Sequence, residues 1–288
     1  MSVFFTDSNS ELWYTVVEEL GFKYISMPYM LDGKEYGYDL GKTHDSKAFF
    51  NSLRSGAKAS TMSLSPQQYI EIFEPVLKSG QDIIYVTFSS GMSGTFEFMK
   101  QAIDTLKQKY PERSIKFVDT LSISMGAGLI AYEAGKLHNN GASDDEIIQF
   151  VEKFRNEVAV YFTANDLMYL KRGGRLSATS AVVGTVLGIK PILSVSKEGK
   201  VVAVGKTMGR KKSLNYMLEK LKTEGENVAD YPISILHADC EEDAKYLEAE
   251  VRKIVGDEAT IWLHPIGPTV GVHCGPDTVG LIFHKTDK

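Results

Sequence analysis

Cysteine is almost absent: only Cys240 and Cys274 occur among 288 residues. Two thiols provide no disulfide framework and fit a reducing cytoplasm. Long hydrophobic runs are missing too. No stretch approaches the ~20 apolar residues that a membrane-spanning helix requires, so any membrane contact is expected to be peripheral. Met1 to Asp7 has no basic segment ahead of an apolar core and does not resemble a secretory signal. Positive charge is not in excess, because 32 Lys and Arg stand against 37 Asp and Glu, for a net charge of −5. That balance argues against a nucleic-acid-binding surface. There is no Walker loop, and His237, Asp239, Cys240, His264, His273 and Cys274 follow no zinc-ligand spacing. Internal repeats and low-complexity segments are also lacking. A composition that is 43% hydrophobic and 24% charged belongs to an ordinary globular protein.

What the sequence does contain is an alternation of strand and helix patterns. Strands are expected at Val3–Phe5, Tyr24–Met27, Asp82–Phe88 and Ile115–Val118. Helices are expected at Ser10–Leu20, Ser46–Ser55, Ser65–Ser79, Phe96–Tyr110, Met125–Asn139 and from Ser143 to about Glu157. This implies a mainly parallel sheet wrapped by helices, in a first domain over residues 1–160. Residues 161–288 have a different texture. A strand at Tyr161–Thr163, short helices at Asn165–Leu170 and Ser177–Leu187, and a hairpin of Ile192–Val195 with Val201–Lys206 come first. Helices at Ser213–Thr223 and Glu241–Val255 then alternate with strands at Ile233–Leu236, Thr260–Leu263 and Val279–His284. The expectation is two α/β domains, the second with a mixed sheet, and a ligand site in the cleft between them.

The densest chemical feature is Ser89-Ser90-Gly91-Met92-Ser93-Gly94-Thr95, between an apolar strand and an amphipathic helix. One hydroxyl suffices for a helix cap, yet four are present, and two glycines let a ligand approach the backbone. Free N–H groups and the positive end of the helix dipole suit a small anion, carboxylate or phosphate. A second hydroxyl-rich turn, Thr61-Met62-Ser63-Leu64-Ser65-Pro66, opens a helix with Pro66 at its first position and leaves Thr61 and Ser63 surplus to the cap.

Other motifs are weaker. Gly126-Ala127-Gly128-Leu129-Ile130-Ala131 matches a dinucleotide fingerprint in letters, but its strand ends too early for the tight turn, so close helix packing is the better reading. Ser93 follows a strand and opens a helix, as a hydrolase nucleophile does, with His237, His264 and His273 downstream; threonine at 95 stands where the elbow needs glycine. A serine hydrolase acting on an acyl ester is therefore the alternative function. Asp239 and Glu242 read as a helix cap and its partner. The basic runs Lys171-Arg172-Gly173-Gly174-Arg175 and Arg210-Lys211-Lys212 suit an anionic protein partner, and Gly267 to Pro276 reads as a Gly/Pro-punctuated loop carrying His273.

Together these segments resemble the DegV family of bacterial fatty-acid-binding proteins along essentially the whole chain. Thr6-Asp7-Ser8-Asn9-Ser10-Glu11-Leu12 resembles its opening T-D-S-x-x-D-L, and Ser89 to Thr95 its S-S-x-L-S-G-T. Asp166 to Leu176 resembles D-L-x-Y-L-x-x-G-G-R-I, Ile189 to Leu193 reproduces I-K-P-I-L, and His273 to Pro276 resembles H-x-G-P. Lys206 to Lys212 follows K-x-R-G-R-K-K with Met208 at the first arginine. The resemblance implies two α/β domains enclosing an apolar tunnel for a long-chain fatty acid. Ser93 and Thr61 would bond its carboxylate, with the Gly94 N–H as a third donor. Ser63, Ser90, Arg175, Arg210 and His273 would be further pocket or partner contacts. It also implies a non-enzymatic carrier without cofactor or metal, which delivers its lipid to a fatty-acid kinase.

Overall fold

Apolar, β-branched runs become the central strands of two sheets in a computed structural model that describes residues 2–176 and 188–286. The helix expected at Ser177–Leu187 lies outside the described residues. In the first lobe, β1 (Val3–Asp7), β2 (Lys23–Ile25), β6 (Ile83–Thr87) and β7 (Ile115–Asp119) pair in the order β2-β1-β6-β7, all parallel. All five residues of β6 are buried, because helices cover both faces of the sheet. On one face Phe5, Ile83 and Tyr85 pack with Phe73 of α3 (Pro66–Lys78) and with Ile103 and Leu106 of α4 (Thr95–Lys109). On the other, Phe4, Ile84 and Val86 share a core with Leu129 and Ile130 of α5 (Met125–Asn139). Flanking α5 are α1 (Tyr14–Leu20) and α6 (Asp144–Phe154).

Helix α5 is buried along most of its length, and its small residues allow it to be. A Cβ on Gly126 would lie 2.5 Å from Val160 Cγ2, and one on Gly128 would lie 2.5 Å from Ser10 O. The Gly-Ala-Gly string is thus a packing feature of the lobe interface. Capping boxes start two helices, Ser65 with Gln68 on α3 and Ser143 with Glu146 on α6.

The second lobe is a six-stranded sheet ordered β10-β9-β8-β13-β11-β12. It comprises β8 (Val158–Thr163), β9 (Ile189–Val195), β10 (Val201–Met208), β11 (Ile233–His237), β12 (Ile261–Pro265) and β13 (Val279–His284). Among the described residues, only β11 and β12 of these strands pair in parallel. The period-two alternation of side chains gives the sheet two different jobs. Ala159, Ile233, Ile235, Leu281 and Phe283 pack under α8 (Arg210–Glu224) and α9 (Glu241–Val255). Val160, Phe162, Leu236 and Ile282 face the first lobe instead.

Several local expectations change. Residues 10–20 are not one helix: a 3-10 turn at Ser8–Ser10 and a left-handed Glu11 (φ +56°) precede α1. A small antiparallel sheet, β4 (Lys34–Tyr36), β3 (Tyr29–Leu31) and β5 (Ala59–Thr61), was not anticipated, because three-residue strands carry too little alternation to read. It flanks α2 (Ser46–Arg54) in the chain. The short helix after Asn165 is α7 (Met168–Arg172), started two residues after Asp166, whose carboxylate accepts the Met168 N–H at 2.8 Å. The Gly267–Pro276 segment is not a loop but contains α10 (Pro268–Cys274), with proline in its first turn. Asp239 does not cap α9; it pairs with Arg54 of α2, while Cys240 holds the cap position and its thiol donates to the Thr278 carbonyl instead of capping the helix. Among the described residues no helix is long and apolar enough to cross a membrane.

Candidate functional site

The two inward faces leave a cavity with about 1030 Å³ of unfilled space, counting the part open to solvent at its mouth. Its body is apolar: Val160 and Phe162 of β8, Leu236 of β11, Ile282 of β13 and Val270 of α10 line it from one lobe, and Met27 and Phe88 from the other. Gly280 contributes space, since a side chain there would press on Phe162. The polar groups come largely from loop and helix ends, among them Thr61, Ser63, Ser93, Ser124, Arg175 and His273.

Ser93 lies in the turn between β6 and α4. Its Oγ accepts the Thr95 N–H at 3.3 Å, which leaves its own O–H to donate toward the cavity. Thr61, the last residue of β5, places Oγ1 2.8 Å from His273 Nε2. These residues are 212 positions apart, and the helical conformation of residues 268–274 brings them together. Burial, reinforced by Arg175, pulls the His273 pKa down to about 4, so the ring is neutral at neutral pH. His273 Nδ1 is buried without a partner, as is Thr269 Oγ1 one helical turn earlier. Arg175 donates from Nε to the Met92 carbonyl at 3.1 Å and from its Nη1 to the Gly173 carbonyl, tying α7 to the Ser93 turn. Burial lowers its pKa from the ordinary guanidinium value.

The four hydroxyls of the turn have separate tasks. Ser89 Oγ donates to the Gly199 carbonyl at 2.8 Å, locking the turn to the β9–β10 hairpin, and a Cβ on Gly91 would collide with the Glu198 carbonyl of that hairpin. Gly91 therefore serves lobe contact rather than ligand approach. Ser90 is exposed, its N–H directed at Asp119, and Thr95 Oγ1 lies 2.9 Å from the Tyr69 hydroxyl. Gly94 is the exposed cap residue of α4. Ser90, Gly94 and Arg210 are not among the residues lining the cavity, whereas Ser63 lines it from an exposed position. Arg210 is drawn away by Asp243 of α9, with Nε 2.8 Å from Oδ2.

Among the described residues no histidine hydrogen-bonds Ser93, and no cluster of three or more His, Cys, Asp or Glu could hold a metal. His264 stacks on Trp13, and His237 Nδ1 is buried unpartnered. One residue that composition and spacing gave no reason to single out is Glu11. Fully buried, its carboxyl accepts the Gly267 N–H at 2.5 Å, at the start of α10, and meets Ser124 Oγ at the cavity wall. Burial pushes its pKa up to about 8. No local pattern marks a carboxylate as buried when its partners lie 113 and 256 residues away.

Two α/β lobes close over an apolar cavity with a hydroxyl-lined polar end, a space whose shape and polarity fit an elongated amphipathic molecule. The model of the DegV family, described as an uncharacterised protein family, matches residues 3–286. The chain belongs to the DegV family. It is 37% identical over 281 residues to the DegV domain-containing protein CPE0026 of Clostridium perfringens, covering 98% of this chain and 96% of that one. A DegV family protein from Thermus thermophilus, described by its fatty acid binding, superposes with a TM-score of 0.86 at 27% identity over 99% of both chains. One from Eubacterium eligens, loaded with heptadecanoic acid, shares the fold with a TM-score of 0.83 at 21% identity, over 99% of this chain and 100% of that one.

Proposed function

We propose that this chain binds a long-chain fatty acid in the cavity between its lobes, holds the carboxylate with Ser93 and Thr61, and presents it to a fatty-acid kinase. The carrying observation is the asymmetry of the cavity: apolar along Phe162, Leu236 and Ile282, polar where Ser93, Thr61 and His273 line it. A fatty acid has the same asymmetry. Each buried methylene is worth ~0.8 kcal/mol, so the acyl chain supplies affinity while the head contacts fix orientation. Ser93 already accepts the Thr95 N–H and can donate outward, which suits a carboxylate that only accepts. Thr61, set by neutral His273, is the second donor; Gly94, next to Ser93 but outside the cavity lining, is not counted among the headgroup contacts. The fatty acid described for the Thermus thermophilus relative supports this reading.

In this role the chain performs no chemistry of its own and needs no cofactor. The donors engage the carboxylate without a covalent bond, so an oxygen stays available for phosphorylation once the site opens. Exposed Lys171, Arg172, Lys211 and Lys212 support docking of an acidic face on a cytoplasmic kinase. The test is mass spectrometry of lipid extracted from purified protein, with about one long-chain fatty acid expected per chain. Ser93→Ala should weaken retention by about 1.5–3 kcal/mol, roughly tenfold to a hundredfold in Kd. An empty protein that takes up no added fatty acid, or an unaltered Ser93→Ala, overturns the proposal. Addition of a bacterial fatty-acid kinase and ATP should convert the bound acid to its acyl phosphate; a kinase indifferent to the complex removes the delivery step.

A further inference from the structure

Beside the Ser93 turn lies a second and much smaller cavity, lined by Phe96 and Met99 together with Asp7, Tyr69, Tyr85, Ser93 and Thr95. Ser93 lines both cavities. Asp7, at the end of β1, is 2% exposed and saturated with donors. Its Oδ2 accepts the Tyr85 hydroxyl at 2.8 Å and the Phe88 N–H at 3.0 Å, and its Oδ1 accepts the Asn9 N–H at 3.0 Å. Phe88 is the residue at which the chain leaves β6 for the turn. At the turn's far end, the Tyr69 hydroxyl lies 2.9 Å from Thr95 Oγ1, and Tyr69 and Tyr85 line the same small cavity.

These contacts have a direction. A carboxylate accepts only, so the Tyr85 hydroxyl and the Phe88 N–H both donate to Asp7 and fix the turn where it begins, while the Tyr69–Thr95 contact fixes it where α4 starts. Thr95, held through its side chain by Tyr69, gives its backbone N–H to a lone pair of Ser93 Oγ. The Ser93 hydrogen is left to point into the acyl cavity. The geometry points to Asp7, Tyr85 and Tyr69 as positioning residues that present Ser93 as an oriented donor and set the preference for a carboxylate over a neutral headgroup. This rests on the reading that the ligand carboxylate lies at Ser93.

The test compares hexadecanoate with hexadecan-1-ol, equal in chain and different in head, for the wild type, Ser93→Ala, Tyr85→Phe, Tyr69→Phe and Asp7→Asn. Each phenylalanine variant removes one hydroxyl from a ring that stays packed. Tyr85→Phe and Tyr69→Phe should lower the acid-to-alcohol affinity ratio by about threefold to tenfold, the equivalent of one hydrogen bond, with alcohol binding held within twofold. Asp7→Asn should lower it at least as far if the variant folds; the two tyrosine variants decide the matter if it does not. Equal weakening of both ligands, or an unchanged ratio in both tyrosine variants, overturns the positioning role while a weakened Ser93→Ala keeps the carboxylate reading. A Ser93→Ala variant that binds hexadecanoate like the wild type overturns both.

Discussion

Replacing Glu11 with glutamine should abolish a specific part of the protein's pH dependence. In the folded chain the carboxyl is enclosed by Ser124, Gly267 and Tyr38, and its pKa rises from 4.5 to about 8. The folded state therefore keeps a proton that the unfolded chain releases. Stability from this group is fully present below pH 4.5 and is lost as pH rises toward 8. Each pH unit inside that window removes about 1.4 kcal/mol, so the loss from pH 5 to pH 8 is about 3.5 kcal/mol. Glu11→Gln keeps an acceptor for the Gly267 N–H and never ionises. Relative to the wild type it should gain that amount across the window. The wild-type profile alone does not isolate the effect. His264 and His273, both held at about 4, push stability the opposite way between pH 4 and 6.5, and buried Asp7 adds to the Glu11 trend. The difference between the two proteins cancels these terms. Urea unfolding at pH 5, 6, 7 and 8, followed by the fluorescence of Trp13 in one lobe and Trp262 in the other, measures it. A gap between variant and wild type that stays constant with pH would refute the reasoning.

Two further outcomes follow from packing. Gly135→Ala should cost about 1–3 kcal/mol in chemical denaturation, because its Cβ would drive into the ring of Phe22, which is itself packed against Phe4 with centroids 4.3 Å apart. Unchanged stability would mean that α5 does not depend on close approach there. Leu236→Phe, which fills part of the cavity wall, should shift binding toward shorter acids, with each excluded methylene costing ~0.8 kcal/mol, about fourfold in Kd. Titration with acids of graded length checks this, and an unaltered length preference would place the acyl chain elsewhere.

The elements best read from sequence are those whose signals are local. The apolar run before Ser89 is a buried parallel strand, the Ser65 and Ser143 boxes start helices, and α5 and α9 have the bounds that periodicity indicated. Conflict arose where a local signal had two meanings. Gly267 to Pro276 carries the punctuation of a loop, yet proline is compatible with a first helical turn and Gly275 (φ +74°) ends the helix. Four hydroxyls in one turn suggested one shared ligand, whereas Ser89 and Thr95 are engaged by Gly199 and Tyr69, and only Ser93 of the four lines the cavity between the lobes.

By itself the sequence determined the alternating α/β order, the hydroxyl turn between a strand and a helix, and the family to which the chain belongs. These depend on patterns that neighbouring residues create together, such as periodicity, caps and motif spacing. The tertiary structure alone decided that Thr61 meets His273, that Asp7 reaches Tyr85, and that Glu11 is sealed between Ser124 and α10. The physical reason is that hydrogen-bond partners and desolvation depend on what the fold brings near. A carboxylate has the same letter on the surface and in the core, and only its surroundings set its charge.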